Sequence, residues 1–226
     1  MSLLNVAERE FVHDVVLAYF QANSIEQWED ITCDDYDIAA EPEGFNVEFK
    51  SGATKVVLVC RDYGFVIKIP TYGETEGDWT SAWVGAHSEK LEDLGYEIAS
   101  NDYCELESAL YECAQKCNVD QFFVPTEYVG EMFGIPIYVQ PKIEYHYTQG
   151  KHSNEDEYTY ASLANSEKVD PCCGAELLMY YSLEEVRSFL EFVSTFGIND
   201  LEAKRNGWFV ESYGRYVFWD YAGFHN

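Results

Sequence analysis

The chain has 226 residues, 47% hydrophobic, 16% aromatic and 24% charged, a composition that supports a packed interior and excludes a disordered chain. Its 14 basic residues stand against 41 acidic ones, for a formal charge of −27. Such a surface repels nucleic-acid phosphates and anionic lipid, which argues against direct binding to either. No run of about 18 apolar residues is present, and the N-terminus lacks the order of a secretion signal. A soluble, cytoplasmic protein is expected.

In chain order, residues 2–22 carry apolar positions at Val6, Phe11, Val15, Val16, Ala18, Tyr19 and Phe20, with Glu8, Arg9, Glu10 and Asp14 on the other side. This spacing predicts an amphipathic helix, followed by an acidic connector. Residues 45–49 alternate like a half-buried strand, and 56–60 and 65–70 are β-branched runs separated by the turn chemistry of Arg61-Asp-Tyr-Gly64. They predict a three-strand meander with a short connection at 51–54. A helix is predicted over 102–116, with Leu106, Ala109, Leu110 and Cys113 on one face and Asp102 near its start. Two strands follow at 124–129 and 135–143, split by a turn at Gly130 and Gly134. Residues 145–168 are polar and without period, an exposed insertion. Ser182-Leu-Glu-Glu185 is a capping box that opens a helix to Phe196, closed by Gly197. Strand-like pieces at 207–210 and 215–219 form a final hairpin.

The seven cysteines form neither C-x-x-C pairs nor an even framework, so they read as small buried thiols. Cys113 and Cys117, one helical turn apart, are the pair that histidines could complete into a metal site. His13, His87, His146, His152 and His225 make no ligand spacing. The acid excess reads first as a solvated surface. Mimicry of DNA charge, occupying a nucleic-acid-binding protein partner, is the second reading, and salt adaptation the third.

Three features carry chemistry. Lys68 stands between Ile67 and Ile69 in a strand, where an ammonium costs desolvation unless a carboxylate or bound anion meets it. The helix that follows carries Glu105, Glu107 and Glu112, and Glu107 borders its apolar face. At the C-terminal end, Asp200 follows a helix, Asn206 comes shortly after, and Asp220 closes a hydrophobic strand. Such carboxylate and amide oxygens suit Mg²⁺, which takes one or two carboxylates plus substrate phosphate.

The order of these elements, from Phe45 to Phe224, resembles the protein-kinase-like fold. Ser51-Gly52-Ala-Thr54-Lys55 resembles an abbreviated phosphate-covering loop, and Phe65-Val-Ile-Lys68 the strand bearing the phosphate-binding lysine. The resemblance implies Glu107 as the helix partner of Lys68, with Glu105 in reserve, and the strand Ile135 to Gln140 as the one entering an adenine-receiving hinge. It implies Asp200 as the catalytic base, and Asn206 and Asp220 as the magnesium ligands. In wording the chain is similar to small kinase-like proteins of bacteria and phages.

Several positions depart from that pattern. Ile198 stands where a histidine usually precedes the catalytic aspartate, and Arg205 where the asparagine is expected, so Asn206 falls one residue late. The loop holds a single glycine, Gly52. The six residues after Asp220 leave no room in this sequence for an activation segment.

The expected fold is therefore α+β. Residues 1–44 form an N-terminal helix and acidic connector, and 45–143 a kinase-like small lobe with an antiparallel sheet and one key helix. Residues 144–226 form a reduced, truncated helical second lobe with the polar insertion at 145–170 and a catalytic-loop-like hairpin. The expected function is ATP and Mg²⁺ binding with weak or specialised phosphotransfer. Lys68, Glu107 and Asp200 are its catalytic set, Gly52, Thr54, Lys68 and Gln140 contact nucleotide, and Asn206 and Asp220 bind metal. The alternative is a catalytically inactive, pseudokinase-like interaction protein whose acidic surface meets a basic partner, one version being a phage-type inhibitor of a host nucleic-acid-binding protein.

Overall fold

The structure, a computed structural model, describes residues 2–31, 40–51, 54–72, 102–143, 177–196, 198, 207–219 and 221. The chain divides into two compact units, residues 1–109 with 125–142, and residues 110–124 with 143–226. The architecture is α+β, as the mixture of helical and alternating periods requires.

The first unit opens with α1 (Val6–Ala22), whose start is a capping box. Asn5 Oδ1 accepts from the Glu8 amide at 3.0 Å, and the Asn5 amide donates to Glu8 Oε2 at 2.8 Å. Two otherwise orphaned donors are satisfied there. Strands β1 (Val47–Ser51), β2 (Lys55–Cys60) and β3 (Phe65–Pro70) form the antiparallel meander. After α2 (Tyr103–Lys116) come β4 (Glu127–Met132) and β5 (Ile135–Pro141), and β5 pairs antiparallel with β3. The sheet order is β1-β2-β3-β5-β4.

The alternation of the strands sorts their side chains onto two faces. Val56, Leu58, Cys60, Phe65, Ile67, Ile69, Ile135, Ile137 and Val139 point one way and join Val12, Val15, Val16, Tyr19 and Phe20 of α1 in one apolar core. The opposite face presents Lys55, Val57, Lys68, Tyr138 and Gln140, since Val57 faces Lys68 and Lys68 faces Tyr138 across the ladders. The first half of α2 lies on this second face, bonded to it through Asp102 and Glu107.

One turn differs from expectation. Gly130 lies inside β4, where the register shifts between Tyr128 and Gly130, and the reversal falls at Phe133 and Gly134. Gly130 has φ +142, a region open to glycine alone, and it makes a bulge in an edge strand. Glycine in this stretch marks two backbone needs, a bulge and a turn, of which the sequence pattern names only the turn.

In the second unit, α3 (Leu183–Phe196) begins at the expected capping box. The Ser182 amide donates to Glu185 Oε2 at 2.7 Å, and Ser182 Oγ accepts from the Glu185 amide at 3.2 Å. Gly197 lies outside the described residues. Strands β6 (Gly207–Val210) and β7 (Arg215–Phe218) pair as an antiparallel hairpin. Phe189 of α3 stacks on Phe122 at 4.3 Å and on Phe218 at 5.5 Å between centroids. Val124 donates its amide to the Phe218 carbonyl at 2.7 Å, and Tyr221 Oη donates to the Val124 carbonyl at 3.0 Å. The insertion at 145–170 lies outside the described residues. Among the described residues no helix is long and apolar enough to cross a membrane.

Candidate functional site

The polar face of the five-stranded sheet carries a buried cluster centred on Glu107, whose side chain is 0% exposed. Lys68 Nζ donates to Glu107 Oε2 at 2.7 Å. Lys55 Nζ donates to the other oxygen, Oε1, at 2.6 Å. The two lysine side chains are 5% and 6% exposed. Thr126 Oγ1 also donates to Glu107 Oε2 at 3.2 Å, and Gln140 Nε2 donates to Thr126 Oγ1 at 3.1 Å.

Local structure explains why these groups meet. Lys68 sits near the end of β3, and the antiparallel register sets Lys55 of β2 opposite Pro70, two positions along the same face. Such diagonal neighbours lie about 7–8 Å apart at their backbones, within reach of long side chains. Glu107 is on the second turn of α2 with Leu106 and Leu110, both buried, beside it. Its carboxylate therefore enters the interior with the apolar residues of the helix. A carboxylate taken out of water there requires charge and hydrogen bonds in return, and two ammonium groups and a hydroxyl provide them.

A second polar contact anchors the start of α2. Asp102 Oδ1 accepts the Glu105 amide at 2.7 Å, in the manner of an N-cap, and Asp102 Oδ2 accepts from Tyr138 Oη at 2.7 Å. Burial pushes the Asp102 carboxyl up to about 7, although both hydrogen bonds work against that rise. Burial, then the nearby Asp102 charge, raises the Tyr138 hydroxyl. The Cys104 thiol, fully buried near both lysines, is raised well above its usual range by desolvation. A thiol held protonated in this way is a packing group rather than a nucleophile.

The sequence-predicted residues separate into two sets. Lys68 and Glu107 are brought together, and Glu107, not Glu105, is the carboxylate that Lys68 meets. Glu105 is half-buried and gives its backbone amide to Asp102. Gln140 is buried in β5 and reaches the cluster through Thr126, so its side chain braces Glu107. Thr54 lies just before β2 and its carbonyl accepts the Thr71 amide at 3.1 Å. Gly52, Asp200, Asn206 and Asp220 lie outside the described residues. Among the described residues no group of three histidine, cysteine, aspartate or glutamate side chains is placed to hold a metal ion. Cys60, Cys104 and Cys113 are buried, and Cys117 is exposed.

Sequence reasoning missed Lys55 and Thr126. A signal for Lys55 existed, because a lysine two places before the residue facing Lys68 must share its side of the sheet once the meander register is drawn. Thr126 carried no signal, as its role depends on the helix laid across the strands. No family model, curated protein or solved structure matches this chain.

Proposed function

We propose that the first unit is a protein-kinase-like nucleotide-binding domain that takes ATP at the Lys68 and Glu107 cluster and supports weak or specialised phosphotransfer. One observation carries this reading: the lysine of the third strand is ion-paired at 2.7 Å with a glutamate on the helix that follows that strand. In protein kinases the phosphate-binding lysine lies on the third strand and pairs with a helix glutamate. The sheet order and the position of α2 between β3 and β4 agree with a small lobe of that kind.

In this reading Lys68 neutralises and orients phosphate oxygens, Glu107 holds the ammonium in place, and Thr126 with Gln140 fixes the carboxylate. The Asp102 contacts to Tyr138 and to the Glu105 amide set where α2 begins, and hence where Glu107 stands. Magnesium, when bound, supplies countercharge to the transferring phosphate. Its ligands by resemblance, Asn206 and Asp220, and the proposed base Asp200 are outside the described residues, so no step is assigned through them.

Thermal melting of the full chain with and without Mg-ATP tests the proposal. A ligand at about 100 times its dissociation constant adds about 2.7 kcal/mol of stability. The expected result is a raised melting temperature in the wild type that is lost in Lys68→Met. No shift in the wild type, with a salt-sensitive complex on a basic protein, overturns it in favour of an interaction protein acting through its charge of −27.

A further inference from the structure

We propose that the outer edge of β4, with the groove between β4 and α1, is a docking site for an extended, basic peptide segment of a partner protein, one in which apolar side chains alternate with Lys or Arg. The site lies apart from the Glu107 cluster, so the inference does not rest on the nucleotide reading.

The backbone supplies the first argument. β4 ends the sheet order β1-β2-β3-β5-β4, and among the described residues no strand pairs with its outer side. The donors and acceptors along such an edge are a template for one more strand. Gly130 sits within this edge at φ +142, and a Cβ built there would meet no atom within 4 Å. Another backbone can therefore approach closely at a position where glycine puts no side chain in the way. The bulge interrupts the ladder between Tyr128 and Gly130, which confines pairing to a short segment.

The two sides of this edge supply the second, since an added strand alternates its side chains between them. On the α1 side lies a groove of about 370 Å³, open to solvent, whose apolar lining is Val12, Val16, Val129, Met132 and Ile137. Phe133, 56% exposed, extends that strip past Met132, with its ring 6.2 Å from that of Phe20. An apolar side chain from a partner finds its anchor there. On the α2 side Tyr128 is 49% exposed and packs edge-on against Tyr138. Glu131 is exposed and pairs with Pro136, which alternation puts on the same side as Tyr138. Burial, then the charges of Glu131, Asp102 and Glu105, raises the Tyr128 hydroxyl, so this side of the edge is acidic. A Lys or Arg arriving there meets a carboxylate and an aromatic ring together.

Charge decides the occupant. Arg9, the cation that lines the groove, is held by Glu127 at 2.8 Å, and His13 lies 3.2 Å from Asp14. Glu131 has no ion-pair partner among the described residues. A second copy of the chain brings another charge of −27 and sets acid against acid along this edge, and an acidic segment meets the same repulsion. A basic segment is drawn in by that field and neutralises Glu131 when it docks.

The test is titration of the full chain with a short fluorescent peptide of alternating lysine and leucine, followed by anisotropy, with hydrogen exchange read over residues 127–133. The wild type is expected to bind this peptide about tenfold tighter than one of the same composition with its leucines grouped, and about tenfold tighter than one N-methylated along one backbone edge. Amides in 127–133 gain protection when the alternating peptide binds. Glu131→Lys weakens binding by about tenfold, the effect of a like charge at the edge. Equal binding of the grouped or the N-methylated peptide shows attraction by net charge alone and overturns the inference. Protection that falls elsewhere, a Glu131→Lys protein that binds like the wild type, or no binding at all overturns it too. A chain that dimerises without peptide, with protection of 127–133 that grows with its concentration, overturns it in favour of a second copy. The comparison among peptides uses the wild type alone, so it decides the matter even where Glu131→Lys does not fold.

Discussion

If Glu107 is shared between two lysines, removing them one at a time and then together must give a non-additive loss of stability. Each single variant, Lys55→Met or Lys68→Met, takes from Glu107 a charge-assisted hydrogen bond, at 2.6 or 2.7 Å, which contributes about 1.5–3 kcal/mol. Part of that returns, because one buried ammonium no longer needs desolvation and its repulsion of the other disappears. Each single loss is therefore about 1 kcal/mol. The double variant removes both cations and leaves a carboxylate with 0% exposure supported by the Thr126 hydroxyl. Removing the partners of a buried charge costs about 3–5 kcal/mol. The double loss then exceeds the sum of the singles by about 2 kcal/mol, within the range seen for contacting residues. Urea unfolding followed by circular dichroism, with the same slope in all four proteins, measures it. A double loss within about 0.5 kcal/mol of the sum would refute the shared carboxylate, and with it the account of why Glu107 is buried.

Two further predictions follow from buried groups outside the cluster. Asp102 is raised from 3.8 to about 7, so between these values the folded chain holds a proton that the unfolded chain has released. Stability therefore falls as pH rises through that window and levels off above it, by up to roughly 4 kcal/mol over the whole interval. Asp102→Asn keeps the cap and should flatten the slope; an unchanged pH profile of the urea midpoint in that variant refutes the assignment. In the second unit, a Cβ on Gly207 would lie 2.4 Å from Phe218 Cδ1 and 2.7 Å from Cε1. Phe218 is fully buried and stacked on Phe189, so its ring has nowhere to retreat. Gly207→Ala should cost about 1–3 kcal/mol, and a thermal unfolding profile identical to wild type would refute that packing.

Much of this architecture is legible in local pattern. The β-branched runs at 56–60 and 65–70, the turn chemistry between them and the Ser182–Glu185 capping box depend on neighbours within a few residues, and each appears where the sequence places it. The candidate site was legible in part. Lys68 between two isoleucines and Glu107 at the border of an apolar helix face each announce a polar group drawn toward an interior, although nothing local says that the two touch.

What the sequence by itself determined was the class of elements, their order and the positions where charge enters the core, because propensity, periodicity and capping act over short separations. The tertiary structure alone decided that Lys55 joins Lys68 on one carboxylate, that Gln140 braces it through Thr126, and that Gly130 bulges rather than turns. Those outcomes depend on strand register and on which helix crosses which face, and they join residues up to 52 positions apart. The free energy that selects them is shared burial: a buried carboxylate is tolerated only where the fold delivers cations from another strand.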